Sequence, residues 1–424
     1  MNMICFDLIV LISEYSLGFN YHFLNKSLHE TIIMVEKGKY WKEKYDNFFR
    51  DLDKEYLILK GDYNWKQEYI RILRFNSIHW TKLNNTSKFF SPGKFWHQEF
   101  LNFSFEKLPY IPKEIGNLIN LREIYLNHDD IKVIPKEISN LKNLKHITIA
   151  SNKMNKIPEE LISLINLERM NLSMNNLKVI KELGNLINLK ELNISRNNIE
   201  EFPRELTNLI NLEILDISWN KIEVVPKELT NLINLSVLDL SYNEIKEFPK
   251  EINNLINLQS LNLSENHIKK IPKEIGNLIN LREFFVIDNK IKEIPREIFK
   301  LINLKILYLC NNEIEQISEE IKNLINLEEF GINNNKIKEF SKEIINLSYL
   351  YSLNISGNYI KEIPKEIGNL INLRLLNISD NIIEELPKEI CNLVVLRCFY
   401  CDGNKINIIP KEILNMTFHT FHFY

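Results

Sequence analysis

The sequence has few of the residues that usually mark turns or cross-link small folds: 11 glycines, 13 prolines and five cysteines in 424 residues. The cysteines are scattered and odd in number, so the sequence predicts no disulfide framework and favours a reducing compartment. An excess of one charge is also missing, because 53 lysines and arginines face 56 aspartates and glutamates. A near-neutral chain has no overall attraction to nucleic acid or to an anionic membrane, and neither is expected as a partner.

Long hydrophobic runs are missing as well. The apolar stretch at residues 3–12 contains Asp7 and has no basic segment before it. It is too short and too interrupted to span a bilayer or to act as a secretory signal. We therefore predict a cytoplasmic protein without membrane association. Under that prediction, N-x-S/T triplets such as the one from Asn171 to Ser173 are coincidences that recur because a repeat recurs.

Motifs that mark catalytic or cofactor sites are not found. The sequence has neither the phosphate-binding pattern GxxxxGK followed by Ser or Thr nor the dinucleotide pattern GxGxxG. Cys398 and Cys401 have the spacing of half a metal site, but residues three apart on a strand point to opposite faces. His419 and His422 have no third ligand nearby. The sequence predicts no enzymatic activity, no cofactor and no metal.

A repeat of 23 residues dominates what is present. It is marked by an asparagine that recurs at this interval in every step but one, which is 22 residues and lacks the proline found in other copies. The positions are Asn152, Asn175, Asn197, Asn220, Asn243, Asn266, Asn289, Asn312, Asn335, Asn358, Asn381 and Asn404. One coil cannot bury its own apolar residues, so stacked coils must form a continuous core. The asparagine column is then expected to satisfy buried backbone groups of neighbouring coils.

The repeat unit reads LxxLxLxxNxIxxIPxEIxxLxN. Its LxLxxN part alternates as a strand does, so Leu238 and Leu240 are predicted to point inward and Asp239 outward. The apolar residues after the proline are three apart, which is typical of a helical or 3₁₀ turn on the opposite side of the coil.

These motifs resemble the leucine-rich repeat family over residues 101–416, with about thirteen copies. The IPxEIxxLxNL form is similar to the intracellular 23-residue class found in Ras-binding leucine-rich repeat scaffolds. The resemblance implies an α/β fold: a curved, horseshoe-shaped solenoid at residues 101–424 with a parallel sheet on its concave face. Residues 1–100 lie before the repeats and are predicted to form a small helical N-terminal domain.

The outward positions of the strands are the residues that the repeat leaves free for function. Aromatic pairs are expected at Trp219 beside Tyr242 and at Phe285 beside Tyr308, because equivalent residues of adjacent coils lie about 5 Å apart. We expect these pairs only in the coils from residue 212 to 312, with Tyr125 and Tyr400 as isolated exceptions. Exposed aromatics next to charges are typical of a protein-binding hot spot. The predicted partner-binding residues are Ile214, Asp216, Trp219, Val237, Asp239, Tyr242, Phe285, Ile306 and Tyr308. The alternative is that aromatic ladders only stabilise the sheet.

The first hundred residues resemble a divergent F-box, a helical domain that docks a Skp-family adaptor of a cullin ubiquitin ligase. Asp7, Leu8 and Ile12 match its opening helix, and Leu24 to Leu28 loosely matches the second. The usual Leu-Pro before the first helix is replaced by Ile4-Cys5. The alternative is a helical cap over the first coil. The sequence therefore predicts a non-catalytic protein that captures a protein partner on its concave sheet, either as a scaffold or as an F-box-type substrate receptor.

Overall fold

The structure, a computed structural model, describes residues 99–104, 111, 113–418 and 420–422. The predicted N-terminal helical domain and its F-box-like pattern lie outside these residues, apart from the last two positions, and they stay predictions. Among the described residues, no helix is long and apolar enough to cross a membrane.

The described residues form one open, fully parallel sheet of fifteen strands, in which strand order follows chain order from β1 to β15. Each strand is three residues long, and each pairs in register with the strand one coil away. The strands are β1 Phe100–Asn102, β2 Glu123–Tyr125, β3 His146–Thr148, β4 Arg169–Asn171, β5 Glu191–Asn193, β6 Ile214–Asp216, β7 Val237–Asp239, β8 Ser260–Asn262, β9 Glu283–Phe285, β10 Ile306–Tyr308, β11 Glu329–Gly331, β12 Ser352–Asn354, β13 Leu375–Asn377, β14 Cys398–Tyr400 and β15 Thr420–His422.

Short helical turns lie on the other side of the coils, as the apolar spacing of three predicts. Two described segments are α-helical, α1 (Glu159–Ile162) and α2 (Lys411–Leu414). The others are 3₁₀ helices: Lys113–Asn117, Lys136–Asn140, Lys181–Asn185, Arg204–Asn208, Lys227–Asn231, Lys250–Asn254, Lys273–Asn277, Arg296–Lys300, Glu319–Asn323, Lys342–Asn346, Lys365–Asn369 and Lys388–Asn392. The predicted leucine-rich repeat architecture is thus confirmed.

The proline of the repeat starts these 3₁₀ turns. Pro249 has a φ of -68°, and its carbonyl accepts a hydrogen bond from the amide of Ile252 at 3.1 Å. The amide of Leu255 bonds the carbonyl of Ile252 in the same i to i+3 pattern at 2.9 Å. Pro lacks an amide hydrogen and its ring fixes φ near this value, so it fits the first position of such a turn. Three described coils form the turn without the proline: Ser318 and Ser341 take the cap position with φ of -68° and -72°, and Ile180 does so with a φ of -142°.

The core is a stack of apolar layers, one from each coil. The central residue of each strand points inward, as Leu238 does, and Leu240 just past β7 is also fully buried. Phe284, Phe330 and Phe399 occupy the equivalent of Leu238 in their own coils and are also buried. After the last full coil, Phe418 and Phe421 pack on Phe399 with ring centroids 5.9 and 5.6 Å away. The aromatic tail thus covers the terminal layer.

The buried asparagine column holds neighbouring coils together. The amide nitrogen of Asn243 donates to the carbonyls of Leu240 and Ser241 in its own coil, at 3.1 and 3.2 Å, and to that of Ile217 in the previous coil, at 3.2 Å. Its carbonyl oxygen accepts the amide of Ile222 at 3.0 Å. One side chain therefore satisfies four backbone groups that would otherwise lie unpaired away from water.

We expect Asn243→Ala to lower the free energy of unfolding by about 1–3 kcal/mol, because buried backbone groups lose their partner. The matched control is Asn234→Ala, which removes an asparagine whose amide bonds the carbonyl of Ile210 at the exposed surface. Water can replace that hydrogen bond, so Asn234→Ala should lower the free energy of unfolding by only about 0.5 kcal/mol. Urea unfolding followed by circular dichroism measures both. Equal costs for the two variants would contradict the ladder role of Asn243.

Candidate protein-binding face

The outward side chains of strands β6 and β7 form the first part of the candidate face. Ile214 lies opposite Val237, and Asp216 lies opposite Asp239. All four point away from the core, and Ile214 is 36% exposed. The second predicted part lies on β9 and β10, where Phe285 pairs with Tyr308, and Ile306 precedes it on the same face. Strand β8, with polar outward side chains, separates the two parts.

Trp219 and Tyr242 do not lie on the strands where the repeat pattern placed them. Both follow their strand by three residues and have left-handed backbone conformations, with φ of 53° and 52°. The equivalent residue is left-handed in every coil from 128 to 403. We call this column the left-handed rim: His128, Ser151, Met174, Arg196, Trp219, Tyr242, Glu265, Asp288, Asn311, Asn334, Gly357, Asp380 and Gly403. It lies beyond the carboxyl ends of the strands.

Three bulky rim residues form a continuous stack. The rings of Trp219 and Tyr242 are parallel within 12°, with centroids 3.7 Å apart, and the Arg196 guanidinium lies 4.2 Å from the Trp219 ring centre. An exposed cation–π contact contributes about 0.5–1 kcal/mol and an aromatic pair about 0.5–1.5 kcal/mol. A left-handed conformation costs a residue with a side chain roughly 1–2 kcal/mol. Stacking therefore does not offset the strain of three such residues.

The acidic end of the rim continues this stack. The hydroxyl of Tyr242 is hydrogen-bonded to Glu265, and burial raises the pKa of Tyr242, with the neighbouring Glu265 charge adding to the shift. Partial burial and the adjacent Asp288 likewise raise the pKa of Glu265. Asp288 Oδ2 accepts a hydrogen bond from the side-chain amide of Asn311 at 2.9 Å. The rim thus runs from a cation through two stacked aromatic rings to a pair of carboxyl groups.

The two predicted aspartates have most of their hydrogen-bonding capacity engaged within the protein. Asp239 Oδ1 accepts both the amide and the hydroxyl of Ser241, at 2.8 and 2.6 Å, and its Oδ2 accepts the amide of Asn262 at 3.1 Å. Asp216 has the same bonds to Ser218. Burial is the main cause that raises the pKa of Asp239. The two aspartates thus fix the turn that follows each strand, a role that the sequence did not predict for them.

A recurring sequence signal pointed to this turn. The amides of Ser173 and Ser195 bond the side-chain oxygens of Asn171 and Asn193, at 2.9 and 3.0 Å, just as Ser241 bonds Asp239. The Asn/Asp-x-Ser triplets are therefore side-chain-capped turns. They recur because each coil has to make the same turn into the left-handed rim.

The second aromatic pair is anchored from one side. Phe285 and Tyr308 meet edge to face with centroids 5.6 Å apart. Glu329 accepts hydrogen bonds from the hydroxyls of both Tyr308 and Tyr351. Burial and this carboxylate raise the pKa of Tyr308, and the carboxylate raises that of Tyr351 to about 12. A Cβ at Gly331 would lie 2.9 Å from the Tyr308 ring, so the absence of a side chain there lets the ring lie flat on β11.

The prediction that aromatic pairs are confined to residues 212–312 is wrong. Tyr125 lies between Phe100 and His146, with centroid distances of 5.2 and 5.0 Å, and Tyr400 stacks on His422 at 5.2 Å. The ring partners of Tyr125 are the first residues of the neighbouring strands, Phe100 of β1 and His146 of β3. The partner of Tyr400 is His422 of β15. Among the described residues, no group of three or more His, Cys, Asp or Glu is placed to hold a metal ion.

Comparison with known proteins places these features in context. A family model described as a leucine-rich repeat region matches residues 65–201, 235–356 and 335–418, and a leucine-rich repeat model matches residues 211–232. A solved leucine-rich repeat protein of Leptospira interrogans is 34% identical, with a TM-score of 0.62 over 74% of this chain and 91% of that one. No curated protein matches.

Two solved plant receptors are also similar. The leucine-rich repeat ectodomain of the Arabidopsis thaliana membrane receptor kinase GASSHO1/SCHENGEN3, in complex with Casparian strip integrity factor 2, is 26% identical, with a TM-score of 0.62 over 74% of this chain and 42% of that one. The plant peptide hormone receptor RGFR1, in complex with RGF2, is 27% identical, with a TM-score of 0.60 over 75% of this chain and 56% of that one. The chain spans about half the length of these two receptors.

We expect Asp239 to make stability fall as the pH rises. Its pKa is raised in the folded state, so its contribution is present below the usual Asp pKa and is lost as pH rises through the folded-state pKa. Asp239→Asn should therefore flatten the pH dependence of the unfolding free energy above about pH 4, the usual pKa of Asp. Asp380→Asn, which removes a carboxylate at an exposed position, is the control. Identical slopes for wild type and Asp239→Asn would contradict the assignment.

Proposed function

Because the chain belongs to the leucine-rich repeat family, we propose that it binds an extended protein segment on the exposed face of its sheet, with the stack of Arg196, Trp219 and Tyr242 as the main contact. The protein acts in this proposal as a binding module that holds a partner and performs no chemistry of its own. A cytoplasmic location is part of the proposal, in keeping with the free thiols of all four described cysteines.

The strain of the rim is the observation that carries the proposal. Later coils place asparagine, aspartate or glycine at the left-handed position, as at Asn311 and Gly357, and these residues tolerate it best. Arg196, Trp219 and Tyr242 occupy the same position although their conformation is unfavourable. Trp219 and Tyr242 are 41% and 38% exposed, so they are not held there by the core. Strained residues at an exposed position favour a functional role over a structural one.

The size and polarity of the face indicate the kind of segment that fits. Strands lie about 4.8 Å apart, so the path from Arg196 beside β5 to Tyr308 on β10 measures about 24 Å, or roughly seven extended residues. Ile214 and Val237 offer aliphatic contacts beside the stack. Arg196 favours an acidic group at one end of the segment, and the Glu265–Asp288 pair favours a basic group further along. The two plant receptors, one solved in complex with Casparian strip integrity factor 2 and the other, a peptide hormone receptor, with RGF2, support this mode of binding.

The decisive variant is the double substitution Trp219→Asn and Tyr242→Asn. Asparagine already occupies this position in two coils, so the melting temperature should stay within a few degrees of wild type while binding is lost. Removing two central aromatic contacts should weaken binding by at least about 30-fold. Peptide display on the immobilised full chain supplies ligands, and calorimetry measures their affinity.

Val224→Asn is the matched control, because Val224 is 73% exposed and lies on the loop away from the strand face. It should leave the affinity unchanged. If the folded double variant selects the same peptides with the same affinity, the stack is not the binding site.

A further inference from the structure

An aliphatic stripe runs along the flank of the repeats, at the opposite ends of the strands from the left-handed rim. It consists of the isoleucine in the Leu-Ile-Asn-Leu segment of eight successive coils, each between 51% and 61% exposed. We call it the isoleucine stripe: Ile165, Ile187, Ile210, Ile233, Ile256, Ile279, Ile302 and Ile325. Successive coils are about 4.8 Å apart, so the exposed side chains follow one another without a gap.

The fold does not need isoleucine at this position. Leu232 and Leu235 on either side of Ile233 are fully buried, and a backbone bond from the amide of Ile233 to the carbonyl of Asn231 at 2.9 Å holds the turn. The neighbouring coils use only the carbonyl of the stripe residue, as the bond from Asn234 to Ile210 shows.

The same position takes other residues at each end of the stripe. Lys142 and Ser348 stand there instead, and their carbonyls still accept the bonds from Asn166 and Asn372, each at 2.8 Å. A polar residue is therefore compatible with the coil. The eight isoleucines between these two positions are exposed at a cost that the solenoid itself does not require.

The stripe is large enough for a stable protein contact. An aliphatic side chain presents on the order of 80 Å² at this exposure, which gives roughly 650 Å² for eight of them. Monomeric proteins rarely expose a contiguous apolar patch above a few hundred Å². A two-fold axis at Ile256 pairs the seven isoleucines from Ile187 to Ile325, with Ile165 opposite Ser348. Two such stripes would bury roughly 1,100 Å², just above the ~1,000 Å² that a specific interface needs.

We propose that the isoleucine stripe is the contact between two copies of this chain related by a two-fold axis. A row of identical side chains is complementary to its own copy, as a two-fold interface requires. With the two-fold axis perpendicular to the stripes, the stripes of the two copies run antiparallel. The charged residues next to the stripe, on the side of the strands, support this arrangement. In chain order they are Glu168, Lys190, Glu213, Ser236, Gln259, Arg282, Lys305 and Glu328.

An axis at the coil of Ile256 and Gln259 brings opposite charges together. It places Lys190 of one copy opposite Glu328 of the other, and Glu213 opposite Lys305. These lysines already bind carboxylates within their own chain, Lys190 to Glu168 at 3.1 Å and Lys305 to Glu328 at 2.6 Å. The dimer joins these pairs into a network across the interface. The other side of the stripe is lined mainly by uncharged asparagines such as Asn231 and Asn254, which meet without repulsion.

The dimer leaves the strand face and the left-handed rim of both copies free, because the stripe precedes the strands and the rim follows them. Two binding faces that run in opposite directions would then act on one partner or on two, and avidity would rise without any new contact. This inference is independent of the proposed peptide site and does not require it.

The test is the mass of the full chain in solution, by sedimentation equilibrium at concentrations up to about 100 μM, above the micromolar limit expected for interfaces of this area. The expected mass is twice the 50.5 kDa of one chain. Ile233→Glu with Ile256→Glu should raise the dimer dissociation constant at least 100-fold with an unchanged circular dichroism spectrum. Val224→Glu with Ile408→Glu is the matched control, at aliphatic positions 73% and 79% exposed outside the stripe, and should dimerise as wild type.

Charge reversal tests the antiparallel register. Glu213→Lys alone should weaken the dimer about tenfold, and addition of Lys305→Glu in the same chain should restore it, since both contacts then carry reversed charges. A monomer at every concentration, a dimer indifferent to the stripe variants or a failure of the second reversal to restore it would overturn the proposal. Sedimentation of a monomeric wild type with phosphatidylcholine vesicles, lost in the Ile233→Glu and Ile256→Glu variant, would assign the stripe to a lipid surface instead.

Discussion

The side-chain amide of one asparagine in each coil from Asn152 to Asn404 is the interaction on which the rest of the structure depends. The Asn243 side chain donates to two carbonyls of its own coil and to one carbonyl of the coil before. It also accepts the backbone amide of Ile222, which lies outside the strands. Hydrogen bonds between three-residue strands alone leave these turn groups buried and unpaired. Because the same side chain does this in each coil, the coils stack at a constant spacing. Equivalent residues then become neighbours, and the chain is best understood as columns.

Each column has its own constraint, and function lies where the constraint is weak or violated. The inward strand column accepts only large apolar residues, as Leu238 and Phe284 show. The rim column is left-handed, which favours glycine and asparagine, yet Trp219 and Tyr242 stand there with large exposed side chains. The stripe column is constrained only through its backbone, so the fold itself does not require isoleucine there. The rim and the stripe lie at opposite ends of the strands, so the proposed partner binding and the proposed self-association use separate surfaces.

The sequence predicted the repeat, its strands and its helical or 3₁₀ turns from spacing, and the resemblance to the leucine-rich repeat family implied the parallel sheet. It also predicted that Trp219 lies beside Tyr242 and Phe285 beside Tyr308, since equal positions in stacked coils must be adjacent. It did not separate Asp239, which caps a turn through Ser241, from residues that face solvent freely. The Asn/Asp-x-Ser signal was visible, but its meaning depends on a backbone conformation that spacing does not reveal.

The sequence by itself determined which residues share a column, because a fixed repeat length admits one register of stacking. Only the tertiary structure decided what each column does. Backbone dihedral angles place Arg196, Trp219 and Tyr242 beyond the strands and not on them, and local hydrogen bonds engage Asp216 and Asp239. Exposure, which depends on the turn around each residue, distinguishes Ile233 from the buried Leu232 next to it. A pattern of residue types records periodicity, whereas the direction of a side chain depends on dihedral angles and packing that the pattern does not contain.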